Sequence, residues 1–395
     1  MKASGYRTGY VGKWHLGTLM QTQDGKTQNI DNVDYRKPLK IGPPQFGFDD
    51  SFILPGSLDM YPYAFVRNNR WVGDVTAKKG WSAFNRVGPA AEDFEDHQVL
   101  DTFCTEAERF IAESVKKSTD RQPFFLYLAL TSPHTPLSPS AGFEGKSPIG
   151  LYGDFVMETD HCVGRVLAAL DKHGITDETL IIATSDHGAA SYAGRNRKAT
   201  IGQLTELEKE GHYASGPFRG YKFTVYEGGF RVPFVVRWPG VVKAGSTCDR
   251  LIGLHDVMST LADVVGYELQ ENQAPDSISL LPLLQSASAA PPRTSMILQA
   301  TRGMAIRSGK WKLAFCPGSG CSDRWQIPVG HEQSWKAALK DFGRPVRNRD
   351  ELVHPAFLQL FDLDNDPGET NDLAERYPEK IRELKQLFET QVQSG

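Results

Sequence analysis

Two short, wholly apolar runs constrain this chain more than anything else in it. Pro123-Phe-Phe-Leu-Tyr-Leu-Ala-Leu130 and Thr179-Leu-Ile-Ile-Ala-Thr-Ser185 lack the alternation of a strand with one wet face. Each therefore reads as a strand buried on both faces. Each also follows a stretch with helical period. Before the first run, Leu100, Phe103, Ala107, Phe110, Ile111 and Val115 share one face. Before the second, a helix over 154–172 turns Val156, Val163, Leu167 and Leu170 inward, and His173-Gly174 stops it. Helices alternating with such strands imply an α/β fold, a mostly parallel sheet covered by helices on both faces. In sheets of that kind ligands bind beyond the carboxyl ends of the strands.

The residues that follow the strands are chemically able. Gly5-Tyr-Arg-Thr-Gly-Tyr-Val-Gly-Lys-Trp-His-Leu-Gly17 reads as the tail of a helix and then a strand, with Lys13 and His15 two residues apart. Side chains alternate in an extended segment, so these two project from one face. Gly12 and Gly17 let the backbone pass close to a neighbour and turn away. A cation beside a proton-transfer group suits an anion, although a strand end with two solvated polar residues fits this stretch equally well. The run at 123–130 ends in Thr131-Ser-Pro-His-Thr-Pro136, a proline-stiffened loop holding His134. The run at 179–185 ends in Asp186-His187-Gly188. Asp186 offers a hard oxygen to a metal, and aspartates also cap turns after strands. Three strands thus deliver polar residues to one edge of the expected sheet.

Two long irregular excursions, 18–90 and 189–225, are the kind of structured loop that shapes a binding site. Arg67, Arg70, Lys78 and Lys79 in the first read as surface charges. The second carries Arg195, Arg197, Lys198, His212, Arg219 and Lys222, of which His212 and Arg219 read as solvated loop residues in preference to substrate contacts. A strand at 231–238 and a helix at 255–265 follow. The Ala/Ser/Pro/Gln-rich span 270–294 is a plausible link. Short antiparallel strands at 295–298, 303–307, 311–315 and 358–363, with an amphipathic helix at 377–393, then form a smaller α+β domain. The expected division is a catalytic domain over 1–290 and a small C-terminal domain over 291–395. With 395 residues, two domains are within reach of the length.

Composition excludes some classes of partner. The net charge is −4 with no concentrated basic tract, which argues against nucleic acid. No apolar run reaches the roughly 18 residues of a membrane span. The five cysteines form no Cys-x-x-Cys pattern. Cys316 and Cys321 flank Pro-Gly-Ser-Gly and fit either a small disulfide loop or two free thiols.

Taken in order, these segments resemble the sulfatase family of the alkaline-phosphatase-like superfamily over nearly the whole chain. Gly5–Gly17 resembles the second sulfatase signature. Phe124–Pro136 is similar to the strand and loop that bear the family's substrate histidine. Leu151-Tyr-Gly-Asp-Phe155 and Thr184-Ser-Asp-His-Gly188 match its helix and metal strand. Arg219-Gly-Tyr-Lys-Phe-Thr-Val-Tyr-Glu-Gly-Gly-Phe-Arg-Val-Pro233, followed by Trp238-Pro-Gly240, matches its lysine loop, and Leu360–Glu369 its C-terminal phrase. The resemblance implies a sulfuric ester hydrolase acting on a carbohydrate or aryl sulfate by a metal-assisted formylglycine mechanism. Lys13 and Lys222 then clamp the anion, His134 donates to the sulfate or the leaving oxygen, and His15 handles the nucleophile's protons. Asp186 and His187 hold a divalent cation, Ca2+ by the family's habit, with manganese or zinc left open by the imidazole. Related readings are a phosphodiesterase or phosphonate monoester hydrolase of the same superfamily, and a non-catalytic binder of sulfated glycans.

One part of the family's pattern is missing. The nucleophile is a formylglycine made from a Cys/Ser-x-Pro-x-Arg sequence, and none occurs in residues 1–395. The pair of aspartates that the family places on its first strand is missing as well. The expectation is an N-terminally truncated chain that is inactive as given and prone to aggregate, belonging to a full-length protein that is periplasmic or secreted.

Overall fold

The computed structural model describes residues 1–82, 84–117, 122–197, 202–316, 318–321 and 357–394. Lys198, His331, His354 and most of the span 317–356 lie outside the described residues. By packing, the chain falls into two compact units. One comprises Met1–Asp177 and Tyr192–Gln203, the other Glu178–Ser191 and Leu204–Gly395.

The first unit is built on β1 (Arg7–Lys13), β2 (Asp50–Leu54), β3 (Val66–Arg67) and β4 (Arg70–Trp71). A small hairpin of β5 (Ala77–Lys79) and β6 (Gly88–Ala90) leads to α1 (Val99–Lys117), β7 (Phe124–Ala129) and α2 (Leu151–Lys172). The five-stranded sheet runs β4-β3-β2-β1-β7. β1 is parallel to both β2 and β7, while β3 and β4 return antiparallel. β1 sits between neighbours because its middle, Thr8–Gly12, is small or apolar enough to be buried throughout. Phe52, Leu54, Leu100, Phe103 and Phe155 fill the space between sheet and helices. Arg7 and Arg109 tie Asp50 of β2 to Glu113 of α1.

Two expectations about burial fail here. β7 is an edge strand among the described residues, and its Tyr127 is 52% exposed. In α2 only Leu170 of the four expected inward residues is buried; Val156, Val163 and Leu167 are 41%, 38% and 39% exposed. The helix turns Phe155, Glu158, Cys162 and Ala169 inward instead. Along α1, Cys162 approaches the Leu100 carbonyl, and Arg165 grips Glu108 and Asp101. Buried Glu158 accepts the Ser140 amide at 3.0 Å, and Asp154 accepts the amides of Gly145 and Ser147.

The second unit opens with β8 (Ile181–Thr184), which pairs antiparallel with β9 (Phe234–Arg237). Between them lie α3 (Gln203–Lys209) and the one-turn α4 (Glu227–Phe230). After α5 (Asp256–Val264) and α6 (Leu281–Gln285) come β10 (Ser295–Gln299), β11 (Met304–Ser308), β12 (Trp311–Phe315) and β13 (Leu358–Asp362). These four form an antiparallel sheet in chain order. The terminal helix α7 (Pro378–Ser394) covers it through Leu384 and Phe388, the latter ring 4.4 Å from that of Phe315. The expected C-terminal antiparallel strands and helix are therefore present. Cys316 and Cys321 are both buried. Among the described residues no helix is long and apolar enough to cross a membrane.

Candidate active site

In the first unit, parallel pairing of β1 with β7 sets Gly12 opposite Ala129, so both strands run out at the same edge. Lys13–His15 leaves β1 there, and the His134 loop leaves β7. The approach is close: a Cβ on Gly12, whose φ is +126°, would sit 2.0 Å from the Ala129 carbonyl oxygen. Only glycine allows the two strand ends to come together this way.

β1 stops at Lys13, and this corrects the reading of Lys13 and His15 as neighbours on one strand face. The Tyr10 hydroxyl donates to the Lys13 carbonyl at 2.6 Å, and buried Trp14 donates from its indole to the Gly17 carbonyl at 2.8 Å. His15 then adopts a φ of +53°, outside the extended region, so alternation does not govern its direction. A positive φ at a non-glycine residue is a strained conformation, of the kind that gathers at functional sites. Lys13 is half-buried and His15 exposed.

His134 is held on both ring nitrogens. Nδ1 lies 2.6 Å from the Thr135 carbonyl oxygen, which only accepts, so Nδ1 carries the proton. Nε2 lies 3.3 Å from the Tyr192 hydroxyl. A neutral ring accepts from that hydroxyl there, and a doubly protonated one donates to it. The Tyr192 ring meets His134 edge-on, and Phe84 lies near-parallel to it at 6.5 Å. Tyr192 reaches His134 because residues 192–203 fold back onto the first unit. Tyr152 donates to the Gly194 carbonyl, and Arg197 donates to the Leu137 carbonyl and to Ser138.

In the second unit, Asp186 and His187 follow β8. His187 Nδ1 lies 2.9 Å from the Gly188 carbonyl, which again fixes the proton on Nδ1, and Nε2 lies 3.2 Å from Asp186 Oδ2. Two lone pairs facing each other at that distance call for a proton or a cation between them. The Asp186 side chain is 76% exposed, so the pair is open to solvent ions. Among the described residues no group of three or more His, Cys, Asp or Glu converges as a metal cage. The pair fits a divalent cation as two donors of its shell, and calcium takes six to eight oxygens.

Lys222 is half-buried, with its ammonium 5.2 Å from the centroid of the Phe223 ring. Its amide donates to the Ala189 carbonyl at 2.8 Å, which couples the lysine segment to the stretch after His187. A second tie is tighter. Gly188 donates to the Gly229 carbonyl at 3.1 Å, and a Cβ on Gly188 would stand 1.8 Å from the Gly228 oxygen. Phe223 has a φ of +83°. Arg219 is not solvated as expected: it donates to the Glu369 carbonyl at 2.6 Å and stacks 4.2 Å over the Tyr226 ring.

Sequence reasoning missed Tyr192, and nothing in its local sequence marks it, since its role depends on a segment returning to the first unit. It also missed the buried charges under the lysine segment. Glu227 and Glu369 stand inside the phrases Arg219–Pro233 and Leu360–Glu369, and an acidic residue in each was the available signal.

In the first unit of this α/β protein parallel strands release a lysine and two histidines at one edge, and in the second a carboxylate–imidazole pair follows β8. A profile of the Sulfatase family matches residues 1–267, and the chain belongs to that family. Its members are sulfuric ester hydrolases. The chain is 28% identical over 429 aligned positions to the N-acetylgalactosamine-6-O-sulfatase of Bacteroides thetaiotaomicron, covering 99% of this chain and 75% of that protein. It is 28% identical to the N-acetylgalactosamine-6-sulfatase of Sus scrofa, covering 98% of this chain and 66% of that protein, just under two thirds of its length. A solved structure described within the metabolism of multiple glycosaminoglycans by Bacteroides thetaiotaomicron superposes with a TM-score of 0.77 at 28% identity, over 98% of this chain and 80% of that one.

Proposed function

We propose that this chain carries the substrate-holding part of a hydrolase for O-sulfated carbohydrates, in a periplasmic or secreted protein. The observation that supports this most is the parallel pairing of β1 with β7, which makes the segments carrying Lys13, His15 and His134 leave from one edge of the sheet. The relatives are named for a 6-O-sulfated N-acetylgalactosamine, which makes that sugar the first substrate to test.

In this reading Lys13 and Lys222 place positive charge against the sulfate oxygens, where negative charge concentrates in the transition state. His134, with one proton held on Nδ1 by the Thr135 carbonyl, donates to the leaving oxygen from Nε2 once that nitrogen is protonated as well, with Tyr192 orienting the ring. His15 accepts or returns the proton of the attacking group. Asp186 and His187 hold a divalent cation, Ca2+ before Mn2+ or Zn2+, and when bound it supplies electrostatic stabilisation of the sulfate.

Residues 1–395 hold no Cys/Ser-x-Pro-x-Arg, so we assign them recognition and charge stabilisation and expect no turnover from them alone. Calorimetric titration with 6-O-sulfated N-acetylgalactosamine tests recognition. The sulfated sugar binds and the unsulfated one does not. Free sulfate appearing in that mixture would show that these residues carry a nucleophile of their own and would refute the assignment.

A further inference from the structure

The segment Arg219–Arg231 is fastened to the β10–β13 sheet along its length. The Phe223 carbonyl accepts from the Thr301 amide at 3.4 Å, the Val225 amide donates to the Ser319 carbonyl at 2.8 Å, and the Tyr226 hydroxyl donates to Gln359 Oε1 at 2.9 Å. Beneath it lies a cluster of charges with almost no exposure. Lys312 of β12 and Glu369 have side-chain exposures of 0%, and Glu227 of α4 has 3%. Lys312 Nζ is 3.1 Å from Glu227 Oε1 and 2.8 Å from Glu369 Oε1, the latter at ion-pair distance without hydrogen-bond alignment. Arg307 of β11 takes the other Glu227 oxygen at 3.0 Å, and the Glu227 amide donates to Glu369 Oε2 at 2.6 Å.

We propose that Glu227, Lys312 and Glu369 act as positioning residues, setting the backbone that carries Lys222 and, through it, the Asp186–His187 turn. The inference rests on the reading of Lys222 as an anion-holding residue. A buried ion cluster is weak evidence of added stability compared with apolar packing; what it supplies is one fixed geometry. Here the geometry is transmitted by short covalent and hydrogen-bonded steps. Gly228 and Gly229 follow Glu227 directly, Gly229 accepts from Gly188 beside His187, and Lys222 donates to Ala189. The glycine at 188 leaves no slack in this path, since even a methyl group there would collide with Gly228. Glu369 itself is held at a φ of +52°, a conformation that the surrounding bonds must enforce.

The test reads Lys222 directly. Residues 1–395 are treated with an amine-acylating reagent, and the acylation rate of Lys222 is followed by mass spectrometry against Lys209, an exposed lysine in α3. Glu369→Gln, which keeps shape and an acceptor for the Glu227 amide, is expected to change the Lys222 rate at least about threefold, with Lys209 unchanged. Lys312→Met is the second variant and gives the same result. Asp256→Asn is the control, because it breaks a buried pair with Arg293 in the same unit but away from the lysine segment. An equal response of Lys222 to Asp256→Asn, or an unchanged rate in both cluster variants, overturns the proposal. Inorganic sulfate separates this from the anion reading. Slowing of Lys222 acylation by sulfate supports that reading. If sulfate has no effect while Glu369→Gln still changes the rate, the anion reading falls and the positioning role stands.

Discussion

Replacing Lys312 by methionine removes one charge from a cluster in which every member is buried, and the structure says how the loss is shared. Glu227 keeps Arg307 at 3.0 Å and Arg231 at 3.8 Å, so it remains paired. Glu369 loses the ammonium at 2.8 Å and keeps only the Glu227 amide among the bonds described above. Breaking a buried pair by removing one partner costs about 3–5 kcal/mol, because a charge is left uncompensated. Glu369 has an escape: burial already raises its carboxyl above the usual range, the Lys312 charge offsetting this only in part, so without Lys312 it takes up a proton more readily still. A carboxyl whose folded pKa is raised favours the fold below its unfolded value, about 4.3, and that contribution is lost as pH rises through the folded pKa. The loss in Lys312→Met therefore grows from pH 5 to pH 7.5, by at most about 1.4 kcal/mol per pH unit, toward the about 3 kcal/mol of a charge left uncompensated. Glu227 runs the other way. Burial would raise it, but Lys312 and Arg307 outweigh this and leave it lowered, so its contribution is present above the unfolded value and lost only in acid. Hydrogen exchange of the β11–β13 peptides, measured with urea unfolding across this pH range, reads the difference. The double variant Lys312→Met/Glu369→Gln, which leaves no lone charge, recovers at least about half of the loss. A loss that is flat with pH, or below about 1 kcal/mol at pH 7.5, would refute the reasoning.

Gly12→Ala forces a methyl group against the Ala129 carbonyl at a φ that side chains avoid. It should destabilise the first unit by about 3 kcal/mol or more, or abolish soluble expression, and urea unfolding measures it. Retention of stability within about 0.5 kcal/mol would mean that β1 and β7 are not in this register. Tyr192→Phe removes the hydroxyl from His134 Nε2 and should cost about 1 kcal/mol or less, with the largest chemical-shift change of the ring carbons at His134. An unchanged His134 spectrum would show that the two rings do not meet.

How much of this was legible depended on whether a feature is local. Gly5–Gly17 carried its strand, its close approach at Gly12 and its lysine, since glycine placement is a local signal. The antiparallel strands after residue 294 were marked by turns and alternation, and α1 by a face that the structure buries. The errors came where a neighbour decides. Val156, Val163 and Leu167 are as apolar as the residues α2 buries, but Arg165 and Cys162 set the rotation of the helix against α1. The run 124–129 is apolar throughout and still lies at a sheet edge, because composition reports what a strand tolerates and not which strands flank it. The excursion at 189–225 could not be divided by sequence, as its first part returns to the first unit and its remainder braces the β10–β13 sheet. Lys312 looks like any strand lysine until Glu227 and Glu369, distant in the chain, are seen to enclose it.

The central claim is that these residues recognise a sulfated sugar through Lys13 and Lys222. Calorimetric titration of residues 1–395 with 6-O-sulfated N-acetylgalactosamine, against the unsulfated sugar and against Lys13→Ala and Lys222→Ala, tests it most directly. Saturable heat is expected with the sulfated sugar alone, weakened about tenfold or more by either substitution, a change of about 1.4 kcal/mol. Equal heats for the two sugars, or binding untouched by both substitutions, would contradict the account.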